Sequence, residues 1–468
     1  MASRKLLVVV TVVVAAILVV TGTLAFLYLR PASPSASSTQ GVAVCGSSSS
    51  SGSGADWPTY HMDNTRTGAP TWGTVTGAKA GWAAPTSLDG PVYAEPLECG
   101  NAVLVATEEN TVYALNASSG AVLWSQHLGT PVAASSLPCG DIGPNTGITG
   151  TPVLDTTTGT LYVVAFVSPA SHILYELNVR NGSVVHQVPV DPPGVQPTAE
   201  QQRGALALAN GMVYIPYGGL YGDCAQYHGY VVGVPANGVG SVISYQVPTS
   251  REGGIWSPGG ISVAANGSLF VSTGNGASTT TFDYGNSVIE LSPNLEVQDY
   301  FAPTNWEPLN AGDTDLGSVA PTLLPNGDVF QIGKAGVGYL LSASHLGGIG
   351  GELTNASICG GGYGGTAHVG LSVLVPCQDG LYDVVAGTSN LTTAWSATGF
   401  DAGSPIVTGS IVWVVDVGSA TLRGLNLTDG AQVYSFALGG AEHFISPTAG
   451  PDGVVVAGGN EVYSFALS

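Results

Sequence analysis

One strand pattern, repeated eight times, limits what this chain can fold into more than any other feature. The unit is a small residue or Pro, a short apolar strand, a Gly-containing turn and a stronger apolar strand. It reads EPLECGNAVLVAT (95–107), TPVLDTTTGTLYVVA (151–165), GALALANGMVYIP (204–216), GGISVAANGSLFVST (259–273), APTLLPNGDVFQIG (320–333), HVGLSVLVPC (368–377), SPIVTGSIVWVVD (404–416) and SPTAGPDGVVVAG (446–458). The strong strands begin at Val103, Leu161, Met212, Leu269, Val329, Val373, Val412 and Val454, at spacings of 58, 51, 57, 60, 44, 39 and 42. A four-stranded propeller blade takes about 40–45 residues, so the early, longer intervals predict loop insertions on the first blades. The pattern predicts an all-β, eight-bladed β-propeller over 56–468, since radial stacking leaves only short, protected edges.

The last copy ends at Ser468 one strand short of a full blade, whereas KAGWAAPTSL (79–88) has no repeat of its own. The N-terminal strand is therefore expected to complete the final blade and close the ring.

Charged residues are only 9% of the chain, with 10 basic against 31 acidic and a formal net charge of -21. No basic stripe exists to neutralise a phosphate backbone, which argues against nucleic acid as a partner. A surface so poor in charge fits an acidic external medium, where carboxylates are partly protonated.

The run LLVVVTVVVAAILVVTGTLAFLYL, from Leu6 at one end to Leu29 at the other, is uncharged. At ~1.5 Å per residue it reaches roughly 36 Å, enough to cross a bilayer. Arg4 and Lys5 precede it, predicting the N-terminus inside and the remainder outside. Its length, with Pro31 and Pro34 following, favours an uncleaved single-pass anchor (1–30) over a cleaved signal that would leave the protein secreted. Residues 31–55, rich in Ser, Pro and Gly, read as a flexible stalk.

Six cysteines without a C-x-x-C pair disfavour zinc and thioredoxin-like chemistry, so disulfides are the default for an external chain. The expected pairs are Cys359 with Cys377 and Cys139 with Cys224. The stretch GGLYGDCAQYHGYVVG (218–233) also holds Asp223, Cys224 and His228, but a disulfide-tied loop suits it better than a Cys-His nucleophile. Six N-x-[ST] sequons begin at Asn116, Asn181, Asn266, Asn355, Asn390 and Asn426; either they carry glycans or Asn simply suits turns there.

YALNASSGAVLW (113–124) resembles the blade motif A-x-[DN]-x-x-[TS]-G-x-x-x-W of the pyrroloquinoline-quinone (PQQ)-like propellers, with Ala114, Asn116, Ser119, Gly120 and Trp124 at the defined positions. Weaker copies, YELNVRNGSVVH and RGLNLTDGAQVY, put His186 and Tyr434 at the aromatic position. The resemblance implies structural roles for all four of Gly120, Trp124, His186 and Tyr434: a turn Gly, and rings packed between blades. It also implies two functional classes, quinoprotein alcohol dehydrogenases that hold PQQ and calcium near the axis, and non-enzymatic assembly propellers of the bacterial envelope. The adjacent Cys-Cys pair and the haem domain of many such dehydrogenases are absent from the sequence.

In a propeller, the residues just before each inner strand converge at one channel mouth. Here these include Glu95, Thr151, Arg203, Trp256 with Ser257, Asp315 with Ser318, His368, Asp401 with Ser404, and Glu442 with His443. The candidate ligand-binding set is thus Glu95, Arg203, Trp256, Asp315, His368, Asp401 and His443, although short inner strands are polar in many propellers. GDTDLGS offers Asp313 and Asp315 as a candidate calcium pair. The leading reading is a membrane-anchored, extracytoplasmic ligand- or protein-binding or scaffold module of the cell envelope, with an envelope protein as the candidate partner. The other is a PQQ-dependent dehydrogenase acting on an alcohol or sugar, with Asp315 or Asp401 as base and Arg203 near the quinone carbonyls.

Overall fold

The computed structural model describes residues 45, 56–70 and 74–468, all within the unit Gln40–Ser468. The apolar run and the rest of the 31–55 stretch lie outside these residues. Among the described residues no helix is long and apolar enough to cross a membrane.

Eight sheets follow one another; the first seven take their four principal strands in chain order from the inside outward, and the eighth takes its outermost strand from the N-terminal side of the ring. Blade 1 is Leu97–Cys99, Ala102–Ala106, Thr111–Asn116 and Val122–His127. The inner strands of blades 2 to 8 are Val153–Asp155, Ala207–Ala209, Ser262–Val263, Thr322–Leu323, Ala367–Val369, Ile406–Thr408 and Thr448–Gly450. The second strands, expected from the repeat, start within one residue of their predicted positions, from Ala102 in blade 1 to Gly453 in blade 8. They form the core because apolar side chains on both faces meet neighbouring blades: Ala102–Ala106, Ile411–Asp416 and Gly453–Gly458 are buried throughout.

Ring closure is as expected. Ala78–Ala80 pairs antiparallel with Glu461–Leu467, setting Ala78 opposite Leu467 and Ala80 opposite Phe465, and Thr86–Ser87 pairs further along the same strand.

Blades dock through a repeated Trp–Gly contact. Trp124 of blade 1 lies over Gly182 in the turn of blade 2 and donates its indole N–H to the Val179 carbonyl (2.9 Å). Trp82 does the same to Gly120 and the Ala117 carbonyl (2.7 Å), and Trp395 to Gly430 and the Leu427 carbonyl (2.9 Å). Each Gly has φ near +70°, and a Cβ there would stand within 2.6 Å of the ring. Glycine is required twice over, by backbone and by contact. In blade 1 a bulge follows Ala114, the small residue opposite Trp124. Tyr434, opposite Gly424, stacks on Trp413 of its own blade at 5.6 Å.

His186 departs from its expected role. It faces Glu176 where blade 1 has Ala114, pairs with that carboxylate at 3.3 Å, and is exposed. Nothing rests on Gly238 in the next blade's turn. The polar residue opposite draws the imidazole away from the interface.

Cys139–Cys224 and Cys359–Cys377 form as expected, with Cα separations of 6.1 and 6.4 Å. The former removes Cys224 from any nucleophilic role. A third disulfide corrects the reading of Cys45 as part of a free stalk: it is buried and bonded to Cys99 on the inner strand of blade 1.

Candidate functional site at the axial mouth

Strand alternation sends two kinds of connection to one face of the ring: those from each blade to the next, and those between the second and third strands. The long insertions fall there, including 128–152, 220–229, 273–287 and the helix Trp306–Ala311. They wall the mouth that the sequence pointed to.

The opposite part of the channel is filled by the chain itself, in a segment that the repeat pattern did not reveal. WPTYHMDNTRTG (57–68) threads the axis and bonds to seven of the eight inner strands or their flanks. Trp57 bridges Glu98, the Pro58 carbonyl accepts from Leu154, and Asn64 exchanges bonds with Leu208 and Val263. The buried Arg66 guanidinium donates to the Leu206 and Ile261 carbonyls, with Nη2 at 2.7 Å from the latter. His61 Nδ1 donates to the Thr366 carbonyl (2.8 Å), and the Thr67 and Gly68 carbonyls accept from His368 and Val407. Ser446 of blade 8 lies 3.1 Å from His61 Nε2.

Two of the expected ligand residues serve this peg. Glu95 Oε1 accepts from Trp57 Nε1 (2.5 Å) and the His61 N–H (2.9 Å), and complete burial pushes its carboxyl up to about 8. His368 lies on the inner strand of blade 6, serving the peg through its backbone N–H, which donates to the Thr67 carbonyl, while its Nδ1 donates to the Gly370 carbonyl (3.1 Å). Burial lowers its pKa.

The mouth gathers Arg203, Trp256 and His443 around a residue absent from the expected set, Phe444. The Phe444 ring stacks on Tyr363 at 5.6 Å and tilts against Trp256 at 6.1 Å, while the Arg203 guanidinium stands 4.8 Å from its centroid. His443 meets the same ring edge-on at 4.8 Å, and Tyr93 closes the group on His443 and Arg203. Phe444 has φ +64°, a costly backbone for a non-glycine residue that is kept where its surroundings hold it. Burial lowers the Arg203 pKa and, with Arg203 beside it, brings His443 down to about 4. His443 Nε2 is 3.4 Å from Asp141, but at that pKa the imidazole is neutral at pH 7. Asp401 lies exposed, its backbone carbonyl accepting from Val417.

Asp315 is buried, accepts from the Asn275 N–H (2.6 Å) and pairs with Lys334 at 2.8 Å. Burial raises its pKa against the pull of Lys334; burial also opposes the Lys334 charge, but Asp315 and Asp313 more than restore it. Lys334 reaches Asp313 as well, at 3.0 Å, so the candidate calcium pair is bridged by an ammonium. Among the described residues no group of three His, Cys, Asp or Glu ligand atoms meets at the mouth; the one convergent group, Cys359, Cys377 and Asp379, contains a disulfide.

The serines of the set stitch inner strands together: Ser257 donates to the Gly364 carbonyl (3.1 Å), Ser318 to that of Gly362 (2.7 Å), and Ser404 accepts from Gly365 (2.9 Å). Thr151 accepts from the Glu95 N–H (2.9 Å). Phe444 was legible in principle, because EHFISP places it directly before the eighth inner strand; a search for polar groups passes over a Phe.

A ring of eight four-stranded blades, locked by Trp–Gly docking and closed by its N-terminal strand, defines a PQQ-like β-propeller. In sequence, the family model described as outer membrane protein assembly factor BamB, one of the PQQ-like β-propellers, matches residues 61–290. No curated protein matches significantly. Quinohemoprotein alcohol dehydrogenase from Comamonas testosteroni is similar in structure at TM-score 0.68 and 15% identity, over 88% of this chain and 80% of that one. A europium-containing methanol dehydrogenase gives 0.68 and 14%, over 88% and 98%. BamB from Moraxella catarrhalis gives 0.53 and 12%, over 83% and 98%. At these identities the likeness is one of fold.

A planar quinone with calcium does not fit the mouth in this arrangement. Phe444 fills the space beside Trp256, Arg203 lies on Phe444, and the Asp315 carboxylate is taken by Lys334 and Asn275.

Proposed function

We propose that this protein is a non-enzymatic binding or scaffold propeller of the cell envelope, held at the membrane by the run between Leu6 and Leu29 and engaging a protein partner. The observation that carries this reading is the filled axis: a peptide peg on one side, and on the other an aromatic ring where a propeller enzyme would admit a small substrate. The long insertions around the mouth then remain as contact surface, a geometry that suits macromolecules better than small molecules. Three disulfides support an oxidising, extracytoplasmic compartment. The family model that matches residues 61–290 carries the description of an envelope assembly factor.

Quinone titration of residues 40–468, with calcium present, tests the reading. No change in quinone absorbance at micromolar concentration, and no dye reduction with an alcohol panel, is the expected result. Saturable binding by the unaltered protein would overturn it in favour of the dehydrogenase.

A further inference from the structure

We propose that Asn181, Asn355 and Asn390 are N-glycosylation sites whose saccharides cover the uncharged outer edges of blades 2, 5 and 6. In each, the amide Nδ2 forms a bond to the anomeric carbon of a lipid-phosphate-linked saccharide, gives up a proton, and the lipid phosphate departs as leaving group. This is independent of what the axial mouth binds.

The six sequons are not equivalent in the folded chain. A transferase must reach both the Asn amide and the hydroxyl two residues on. Both are exposed in Asn181 with Ser183, Asn355 with Ser357, and Asn390 with Thr392. The other three each have one end packed. Ser268 is buried next to Asn266, and Asn116 and Asn426 are half-buried. These last two are also pinned through their middle residues, because Trp82 donates to the Ala117 carbonyl and Trp395 to that of Leu427. At Asn181 the equivalent bond, from Trp124, goes to Val179, outside the sequon. Gly182 rests on the indole while Asn181 and Ser183 on either side stay exposed.

A second observation shows what such saccharides would do. The outermost strand of a blade has an unpaired edge, which soluble proteins usually blunt with charge. Here Val184–Pro189 (VVHQVP), Thr354–Ser357 (TNAS) and Leu391–Thr398 (LTTAWSAT) contain no Asp, Glu, Lys or Arg. Exposed apolar side chains sit beside each accessible sequon: Val184 and Val185 (65% exposed) by Asn181, Leu353 by Asn355, and Val385 by Asn390. Val385 is paired directly with Thr392, the hydroxyl residue of its sequon. A hydrated saccharide at each site would supply the bulk and polarity that these edges lack.

The test is glycopeptide mass spectrometry on the full chain isolated from the cells that produce it. Saccharide mass is expected on the peptides spanning Asn181, Asn355 and Asn390, and bare Asn at Asn116, Asn266 and Asn426. A saccharide missing from any of the first three, or present at any of the last three, overturns the assignment. The triple variant N181Q/N355Q/N390Q, made in the same cells, separates modification from coverage. With its melting temperature unchanged, its sedimentation should shift toward higher-order species relative to the parent; an unshifted profile overturns the covering role.

Discussion

Substituting Glu98 by Gln should change how stability depends on pH, by an amount set by the burial of one carboxyl. Glu98 is in the inner strand of blade 1, with its side chain against Gly450 of blade 8 and the Asp452 and Asp56 carboxylates as its charged neighbours. Burial, then those two like charges, push its pKa from 4.5 to about 8. Below pH 4.5 the folded and unfolded chains both hold the proton and the contribution is complete. Between 4.5 and 8 only the unfolded chain ionises, so stability falls as pH rises, at ~1.4 kcal/mol per unit, or roughly 5 kcal/mol across the window as an upper bound. Gln mimics the protonated acid and removes this slope. Other buried groups act too: Glu95 and Glu200, both near 8, fall in the same sense, whereas His61, near 3, gains stability as pH rises toward 6.5. The difference between parent and variant isolates Glu98. Calorimetric unfolding from pH 5 to 8.5 should show E98Q and parent close together at pH 5 and E98Q increasingly the more stable above it. Parallel curves, or a variant that loses ground as pH rises, would refute the reasoning.

Trp124→Ala should cost about 3–5 kcal/mol, since it empties a buried ring site and strips the Val179 carbonyl of its indole donor, and urea unfolding reads the loss. Cys99→Ser opens a 54-residue loop and should lower stability by up to about 4 kcal/mol, a shift that reducing agent should not enlarge further at this bond. Deleting the chain up to Leu88 removes both the peg and the closing strand; a truncated ring that still melts cooperatively at the parent temperature would contradict their role. Phe444→Gly relieves the φ +64° backbone and empties the mouth, so quinone absorbance should respond in this variant if the Phe444 ring is what excludes the ligand, and an unresponsive variant would assign the exclusion to the Asp315–Lys334 pair.

The blade pattern was legible because it rests on local chemistry repeated many times. Alternating apolar runs and a turn Gly recur in every copy, and Ala114 to Trp124 spells out the docking geometry completely. His186 was misread because register names the position but not its cross-strand partner: Glu176, on the neighbouring strand, decides where the imidazole goes. Trp395 docks as Trp124 does, yet follows LTTA instead of the full motif, so only the fold reveals their equivalence. The peg escaped notice for a different reason. WPTYHMDNTRTG has no periodicity, and its bonding partners lie up to 385 residues away, as between His61 and Ser446. At the mouth, the residues before each inner strand were found by position, but which of them face the axis depends on whether the peg already uses them, as it uses Glu95.

The peg also governs the order in which the molecule can be made. Residues 57–68 leave the ribosome early, yet their carbonyls and side chains are bonded by strands from almost every later blade, and Ala78 must wait for Leu467. Such a chain cannot finish folding blade by blade as it is synthesised, because residues 57–68 have no complete set of partners until the eighth blade has been made. Contacts this distant in sequence make for slow folding. An open, unpegged ring should therefore be the species that accumulates, and the one most exposed to misassembly, before the N-terminal segment settles into the axis.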